Sequence, residues 1–592
     1  EDFGLTPSQL DGEKSFGEYA VESVFLAGFS HTLQQFCEAP LSPSLLLEYD
    51  TLAKLADYLG QLPMKLTASL ASPSDDVAPV LSSSVPSLAV SQDPPLLPNQ
   101  LAVKTITTDE TPSDMPVIVG MAGKFPLADD IDTFWQQLLE GESAITAHQL
   151  QASHQSIYGA WLTDKDKFDH EFFGMPYADA CTMDGQARLL LTQALKAVND
   201  AGYSKAQLVS KRVGGFIGAS SRTIMANELV GVANPILALG HNYLAANISR
   251  YFDVQGPSLV SDAACASAMV NLQHACDALQ LGRIDMAIVG TANVFEDLNT
   301  QAFFEQRGLL SQSGHYALFS ERSDGKVLGE AVGVVVLKRE TDALRDSDRI
   351  YCKVKAIAAN NDGQTIGPSS PNIEAQRQVI GQAIAASQLK ADDISYIEVN
   401  GAGSRLLDSI EISALARSYQ FDQSAKPHYL GSVKPNVGHT LMSSAMVGMI
   451  KCALAVYHKQ IPPFKQYGEL FNEFDFVNNN VSFNLVRKVL PASGNGLCAA
   501  ALNVNADGGS NFHVIFEQCP DQSGAVSKRI HTQLNEKQIE TRMRQGANTG
   551  SKQSMDVNEV KAKLMRPNLD NRREKHQEEQ DVLTVWGEMN EE

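Results

Sequence analysis

Between residues 115 and 517 the chain alternates short, continuous apolar runs with longer amphipathic stretches. Residues 116–120 (Pro-Val-Ile-Val-Gly), 286–289 and 332–337 are apolar throughout and bounded by glycine or charge. Such runs predict strands covered on both faces. A helix is predicted to begin over 134–139. Met269, Leu272, Cys276 and Leu279 recur at helical spacing before Gly282 stops the pattern. Strands that alternate with helices predict a layered α/β domain, bounded at 113–517. Elsewhere the pattern lapses. Residues 1–62 read as a small helical unit. Residues 63–112, rich in Pro and Ser with no periodic face, read as a semi-extended linker. Residues 518–592 read as a polar tail with room for one or two solvated helices but too few apolar side chains for a core.

Composition narrows the class. Of 592 residues, 43% are hydrophobic and 20% charged, a balance that excludes wholesale disorder. Basic side chains number 47 against 69 acidic ones, and a net charge of −22 disfavours nucleic acid and anionic membrane as partners. No apolar run is expected to approach the roughly 20 residues of a membrane span. The first residues lack the basic start of a secretory signal. Cys37, Cys181, Cys265, Cys276, Cys352, Cys452, Cys498 and Cys519 contain no C-x-x-C pair. That spacing fits neither a zinc site nor a disulfide framework, so the expected setting is a reducing cytoplasm. His148, His154 and His170 have no ligand spacing, and no metal is expected.

One cysteine carries candidate chemistry. Residues 256–282 open with Gly-Pro-Ser-Leu-Val-Ser, pass through Asp-Ala-Ala-Cys-Ala-Ser-Ala, and continue as the helix that contains Met269. Cys265 therefore falls at a strand-to-helix turn, where the helix dipole favours a thiolate. Ala263, Ala264, Ala266 and Ala268 leave room for a substrate. On position alone a buried, inert cysteine is an equal reading.

Further motifs carry a resemblance. Residues 117–126 (Val-Ile-Val-Gly-Met-Ala-Gly-Lys-Phe-Pro), 168–175 (Phe-Asp-His-Glu-Phe-Phe-Gly-Met), 183–191 (Met-Asp-Gly-Gln-Ala-Arg-Leu-Leu-Leu), 329–338 (Gly-Glu-Ala-Val-Gly-Val-Val-Val-Leu-Lys) and 431–439 (Gly-Ser-Val-Lys-Pro-Asn-Val-Gly-His) occur in order. Together with the Cys265 motif they resemble a ketosynthase of the modular polyketide synthases, in the thiolase superfamily. The resemblance implies a thiolase-like layered αβαβα fold and an acyl-cysteine role for Cys265. It implies that His439 polarises the thioester and that Lys434 supports His439.

Two departures stand out. Where the family opens its H-G-T-G-T motif with a first histidine, this chain reads Asn-Gly-Ala-Gly-Ser, with Asn400 in the histidine's place. Gly401, Gly403, Asp408 and Glu411 keep the frame. The family's F-G-F-G-G-T-N-A-H loop becomes Asn505-Ala-Asp-Gly-Gly-Ser-Asn-Phe-His, with Ala506 and Asp507 as further changes. Asparagine donates through its amide but does not titrate and reaches less far than imidazole. Loss of one preorganised donor to a developing oxyanion costs on the order of 10²–10³ in rate. Decarboxylation of a malonyl extender should suffer more than thioester exchange. Similar domains, in polyketide synthases fed by separate acyltransferases, transacylate without elongating. The resemblance therefore implies a non-condensing acyltransferase. The alternatives are a condensing enzyme that tolerates Asn400 and a non-catalytic docking or dimerisation platform.

Residues 16–29 and 45–59 resemble an acyl carrier protein, an all-α unit whose first helix is expected to be cut short here. The resemblance implies 4'-phosphopantetheine on Ser23, although a serine at a helix start also serves as a cap. Carrier domains bearing polyketide thioesters, neighbouring synthase polypeptides and a second copy in a homodimer are the implied partners. The tail is a candidate docking element.

Overall fold

The computed structural model describes residues 12, 33, 49, 51–60, 114–149, 156–220, 236–237, 240–365, 367, 370–424, 426–472, 474–520 and 529–539. In the N-terminal unit this covers helix α1, Leu52–Leu59, whose first turn is capped by the Thr51 side chain accepting from Lys54 N–H. Ser23, the 63–112 linker and most of the tail lie outside the described residues.

Eleven strands form the main sheet: β1 Pro116–Lys124, β2 Val213–Gly218, β3 Ser258–Ser261, β4 Met286–Asn293, β5 Ala331–Arg339, β6 Cys352–Asn361, β7 Tyr396–Glu398, β8 His428–Gly431, β9 Val481–Phe483, β10 Ala499–Asn505 and β11 Ser510–Glu517. Their order is β9-β8-β7-β10-β11-β6-β1-β5-β4-β2-β3. The apolar runs that predict covered strands fall in β1, β4 and β5, buried along nearly their whole length.

Pairing reveals an internal duplication. Outward from the centre, β1, β5, β4, β2 and β3 pair as antiparallel, antiparallel, parallel, parallel. On the other side β6, β11, β10, β7 and β8 repeat that series, and β9 extends it. The halves meet at a short antiparallel seam, Val117↔Lys353 and Ile118↔Cys352.

Two helices lie at the centre, α3 Ser267–Gln280 and α6 Ser444–His458. They pack on each other, α3 on strands of the first half and α6 on strands of both. The predicted face of Met269, Leu272, Cys276 and Leu279 is buried in that core. Helix α2, Gly185–Asp200, covers the first half from outside, and α4 Ile373–Ser387 with α5 Arg405–Tyr419 covers the second. The layers therefore run αβαβα. Gly120 permits the close approach of α2, since a Cβ there would sit 2.4 Å from the Ala197 carbonyl oxygen.

Two sequence expectations change. The stretch Leu441–His458 is long and apolar enough to cross a membrane by length and composition, but 83% of it is buried inside the fold. A helix hydrophobic all round suits this doubly covered central layer. The described part of the tail also returns to the domain. Lys537–Gln538 pairs with Lys167–Phe168, Ile539 is buried, and Arg529 reaches both Asp132 and Asp200 at 2.8 Å. Polar composition conceals such a strap because its backbone and charged groups make the contacts.

Candidate functional site

The duplication brings the ends of α3 and α6 to one place, and the candidate residues collect there. Cys265 lies two residues before α3. Its turn is strained: Ala264 holds φ +49, a left-handed conformation costly for a residue with a Cβ. Ser267 and Asp262 hold it there. The Ser267 hydroxyl donates to the Ala264 carbonyl at 2.8 Å and accepts from Ala263 N–H at 2.9 Å, while Asp262 Oδ1 accepts from Ala264 N–H at 3.0 Å. The turn leaves the Cys265 side chain partly accessible; the other described cysteines are buried.

His439 comes from the second half. Its N–H donates to the Val327 carbonyl at 2.7 Å and its own carbonyl accepts from Gly329 N–H at 3.0 Å. Gly438, at φ +72, makes the approach possible, because a Cβ there would meet the Leu328 carbonyl oxygen at 2.8 Å. Sγ of Cys265 lies 3.4 Å from His439 Nε2. Leu441 N–H donates to Nδ1 at 3.1 Å, which leaves the neutral ring's proton on Nε2, facing the sulfur. Burial, followed by the Lys434 and Lys326 ammonium groups, holds His439 well below the ordinary histidine range. The imidazole is therefore a neutral N–H donor to the sulfur.

Lys434 opens the short helix Lys434–Val437 and is buried. Its ammonium donates to the backbone carbonyls of Asn400 at 2.5 Å and Gly401 at 3.2 Å, and lies 3.4 Å from Asn400 Oδ1. Burial brings Lys434 down to about 8, against the opposing pull of Cys265, Glu411 and Asp408. An ammonium only donates, so the Asn400 amide oxygen faces it and the NH₂ remains as the site's donor.

The Asn400 loop is fixed from beneath by two buried carboxylates of α5. Glu411 accepts from Asn400 N–H at 2.6 Å, Gly401 N–H at 2.8 Å and Asn503 Nδ2 at 2.7 Å. Asp408 accepts from Ala402 N–H at 2.7 Å and Phe319 N–H at 2.9 Å. Burial raises both, Asp408 to about 7. A second buried pair, Lys451 and Glu398 at 2.8 Å, anchors the neighbouring turn through Val433 N–H, 2.6 Å from Glu398 Oε1.

The structure thus gathers Cys265, His439, Lys434 and Asn400 into one linked set. The Asn505 loop turns between β10 and β11 with Gly508 at φ +85 and Gly509 at φ +81, and it exposes Asp507. Sequence reading did not single out Lys326, Ser267 or Glu398. Only Glu398, a charge closing an otherwise apolar strand, carried a visible signal.

Comparison with known proteins accords with this geometry. The β-ketoacyl synthase N-terminal domain family matches residues 116–343, its C-terminal domain family matches 351–467, and the phosphopantetheine attachment site family matches 1–59. That last match implies a 4'-phosphopantetheine cofactor on the carrier unit. The polyketide synthase PksL of Bacillus subtilis is 35% identical over 89% of this chain, and PksN of the same organism is 28% identical over 87%. The chain spans only 12% and 10% of those two proteins. The Streptomyces albus oxazolomycin ketosynthase domain OzmH KS8 is 36% identical, with a TM-score of 0.58, over 70% of this chain and 98% of that one. The ketosynthase from module 6 of the Bacillus subtilis bacillaene synthase is 29% identical, with a TM-score of 0.64, over 69% of this chain and 72% of that one. A duplicated sheet of thiolase type, a cysteine facing an imidazole across it and these matches lead to one conclusion: the chain belongs to the ketosynthases of modular polyketide synthases and carries a phosphopantetheine attachment domain at its N-terminal end.

Proposed function

We propose that this ketosynthase accepts a polyketide acyl group on Cys265 and passes it to a carrier-protein thiol without decarboxylative elongation. The observation that carries the reading is the turning of the Asn400 amide oxygen to Lys434, which leaves its NH₂ as the side chain's one short, non-titrating donor.

Thioester exchange needs little beyond this set. The Cys265 sulfur attacks the carbonyl carbon of a carrier-borne thioester, and the carbonyl electron pair moves to oxygen. Collapse breaks the old carbon–sulfur bond, and the departing carrier thiolate takes up a proton. An acceptor thiol then runs the same steps in reverse and frees Cys265. His439 Nε2–H and the Lys434 charge favour negative charge on sulfur throughout. Malonyl decarboxylation asks more, since its enolate charge needs strong donors on the extender carbonyl.

The expected setting is a synthase fed by separate acyltransferases, with carrier domains and neighbouring synthase polypeptides as partners. A homodimer built on edge strand β3 fits the partial exposure of Ser258–Ser261. The protein charged with acyl group should transfer it to an acceptor carrier, and on incubation with malonyl-carrier should release no CO₂ and lengthen no chain. Robust elongation would overturn the reading in favour of a condensing enzyme. Absence of any Cys265-dependent adduct by mass spectrometry would leave a docking platform.

A further inference from the structure

Helix α6 begins five residues after His439 and ends against Lys459, about 22 Å away at 1.5 Å per residue. At that far end the chain enters a two-stranded sheet. Gln460 pairs with Val489, Ile461 pairs with Lys488, and Leu490 N–H donates to the Lys459 carbonyl at 2.9 Å. These contacts set Tyr457 and Lys459 alongside residues 485–489.

The face so formed stands out in two ways. Its apolar side chains point outward: Leu485 is 59% exposed, Val486 65% and Val489 75%, with Tyr457 exposed beside them. Contiguous apolar surface of this kind marks an interaction site. Its cations are also unpaired. Among the described residues no carboxylate forms an ion pair with Lys459, Arg487 or Lys488, the last of which rests over the Tyr429 ring at 4.8 Å. Exposed arginines elsewhere hold carboxylates, as Arg212 does Asp285, Arg377 does Glu374 and Arg405 does Glu321.

The partner for such a face is acidic, and one lies in this chain. Residues 1–59, the phosphopantetheine attachment unit, carry two basic side chains against ten acidic ones, a net −8. Residues 540–592, with nine against eleven, offer no comparable charge. The route is short as well. The linker enters the domain at Asp114, which accepts from Thr341 N–H at 3.0 Å, and runs into β1. Tyr351 N–H donates to the Ile118 carbonyl of β1 at 2.8 Å, and the Tyr351 ring lies 5.0 Å from that of Tyr457. The tether therefore arrives beside the face, and a tethered unit meets a surface of its own chain at a raised effective concentration.

We propose that this face is the resting dock of the chain's own acidic N-terminal unit. Its cations steer the unit in, while Leu485, Val486 and Val489 supply apolar burial. Docked there, the unit sits at the end of α6 away from Cys265, so docking withholds it from the reaction site. The dock stands by itself; the resting role rests on the acyl-transfer reading above.

The test treats the full chain with a carbodiimide, which joins lysine amines to carboxylates in contact, and maps the links by mass spectrometry. Lys459 and Lys488 should link to Asp or Glu within residues 1–59. In a mixture of ¹⁵N-labelled and unlabelled protein those links should stay within one isotope. Arg487→Glu, which keeps both lysines, should lower their yield about threefold, the scale of one surface ion pair lost. Links that are absent, that run to residues 540–592, or that cross isotopes and so come from a second copy would overturn the dock. The resting role is read separately. With the N-terminal unit charged with an acyl group, Cys265 should load faster in Arg487→Glu than in the parent; equal or slower loading would overturn that role. If neither protein loads more than Cys265→Ala, the acyl-transfer reading itself falls, and the links still decide the dock.

Discussion

Replacing Asn400 with histidine tests the central argument directly. The backbone at this position is held independently of its side chain, through Asn400 N–H to Glu411 and the Asn400 carbonyl to Lys434. The exchange gives up only the 3.4 Å contact between Oδ1 and the Lys434 ammonium, which keeps its two carbonyl partners. Enlarging this half-buried side chain costs about 1–3 kcal/mol of stability where its neighbours must shift to admit the ring. The gain is a longer-reaching donor aimed at charge that develops on an extender carbonyl. One such preorganised donor contributes about 10²–10³ in rate, or about 2.7–4 kcal/mol of barrier. With the variant charged on Cys265 and given radiolabelled malonyl-carrier, release of labelled CO₂ should rise on the order of 10²-fold over the parent. Loading of Cys265 should change little, since Cys265 and His439 are untouched. A folded, fully loadable Asn400→His protein that releases no more CO₂ than the parent would refute the reasoning. The block to elongation would then lie outside this position.

Other predictions follow from the same set. Cys265→Ala should abolish the acyl adduct seen by intact-protein mass spectrometry while leaving the far-ultraviolet dichroism of the fold unchanged. Glu411→Ala should cost about 3–5 kcal/mol in urea unfolding, since three donors and a buried charge network lose their acceptor; Glu411→Gln should cost visibly less. Lys434 should make activity and stability diverge with pH. It sits at about 8 in the fold, and the unfolded chain binds its proton up to about 10.4. Between those values the unfolded state holds more protons, so stability rises with pH while transfer falls as the ammonium is lost. Transfer that climbs steadily through that window would contradict the assignment. Arg529→Ala should lower stability by up to about 1 kcal/mol, read as a shifted melting midpoint, because its partners Asp132 and Asp200 are at least partly solvated.

Much of the domain is legible in its sequence. Apolar runs mark β1, β4 and β5 because both faces of those strands are covered, and the Met269–Leu279 spacing marks α3 because one face meets the core. The Asn400 departure is equally visible, as a residue in a motif frame. Other features leave no such trace. The strain at Ala264 depends on Ser267 and Asp262 closing on the turn, and alanine carries no turn signal of its own. The strap at 529–539 reads as solvated tail because Ile539 is its one deeply buried apolar side chain. The duplicated sheet repeats an order of pairings rather than an order of residues, so no internal sequence repeat announces it.

That duplication has a consequence for how the protein is put together. One half contributes the sulfur and the other the imidazole, the ammonium and the amide, so neither holds a working site. Catalytic competence belongs to their mutual alignment, held by a two-pair seam and by the packing of α3 against α6. Cut between β5 and β6, the chain becomes a natural split reporter. Two silent fragments would regain acyl loading only when they reassemble, and the loading would measure how faithfully the halves had found their register.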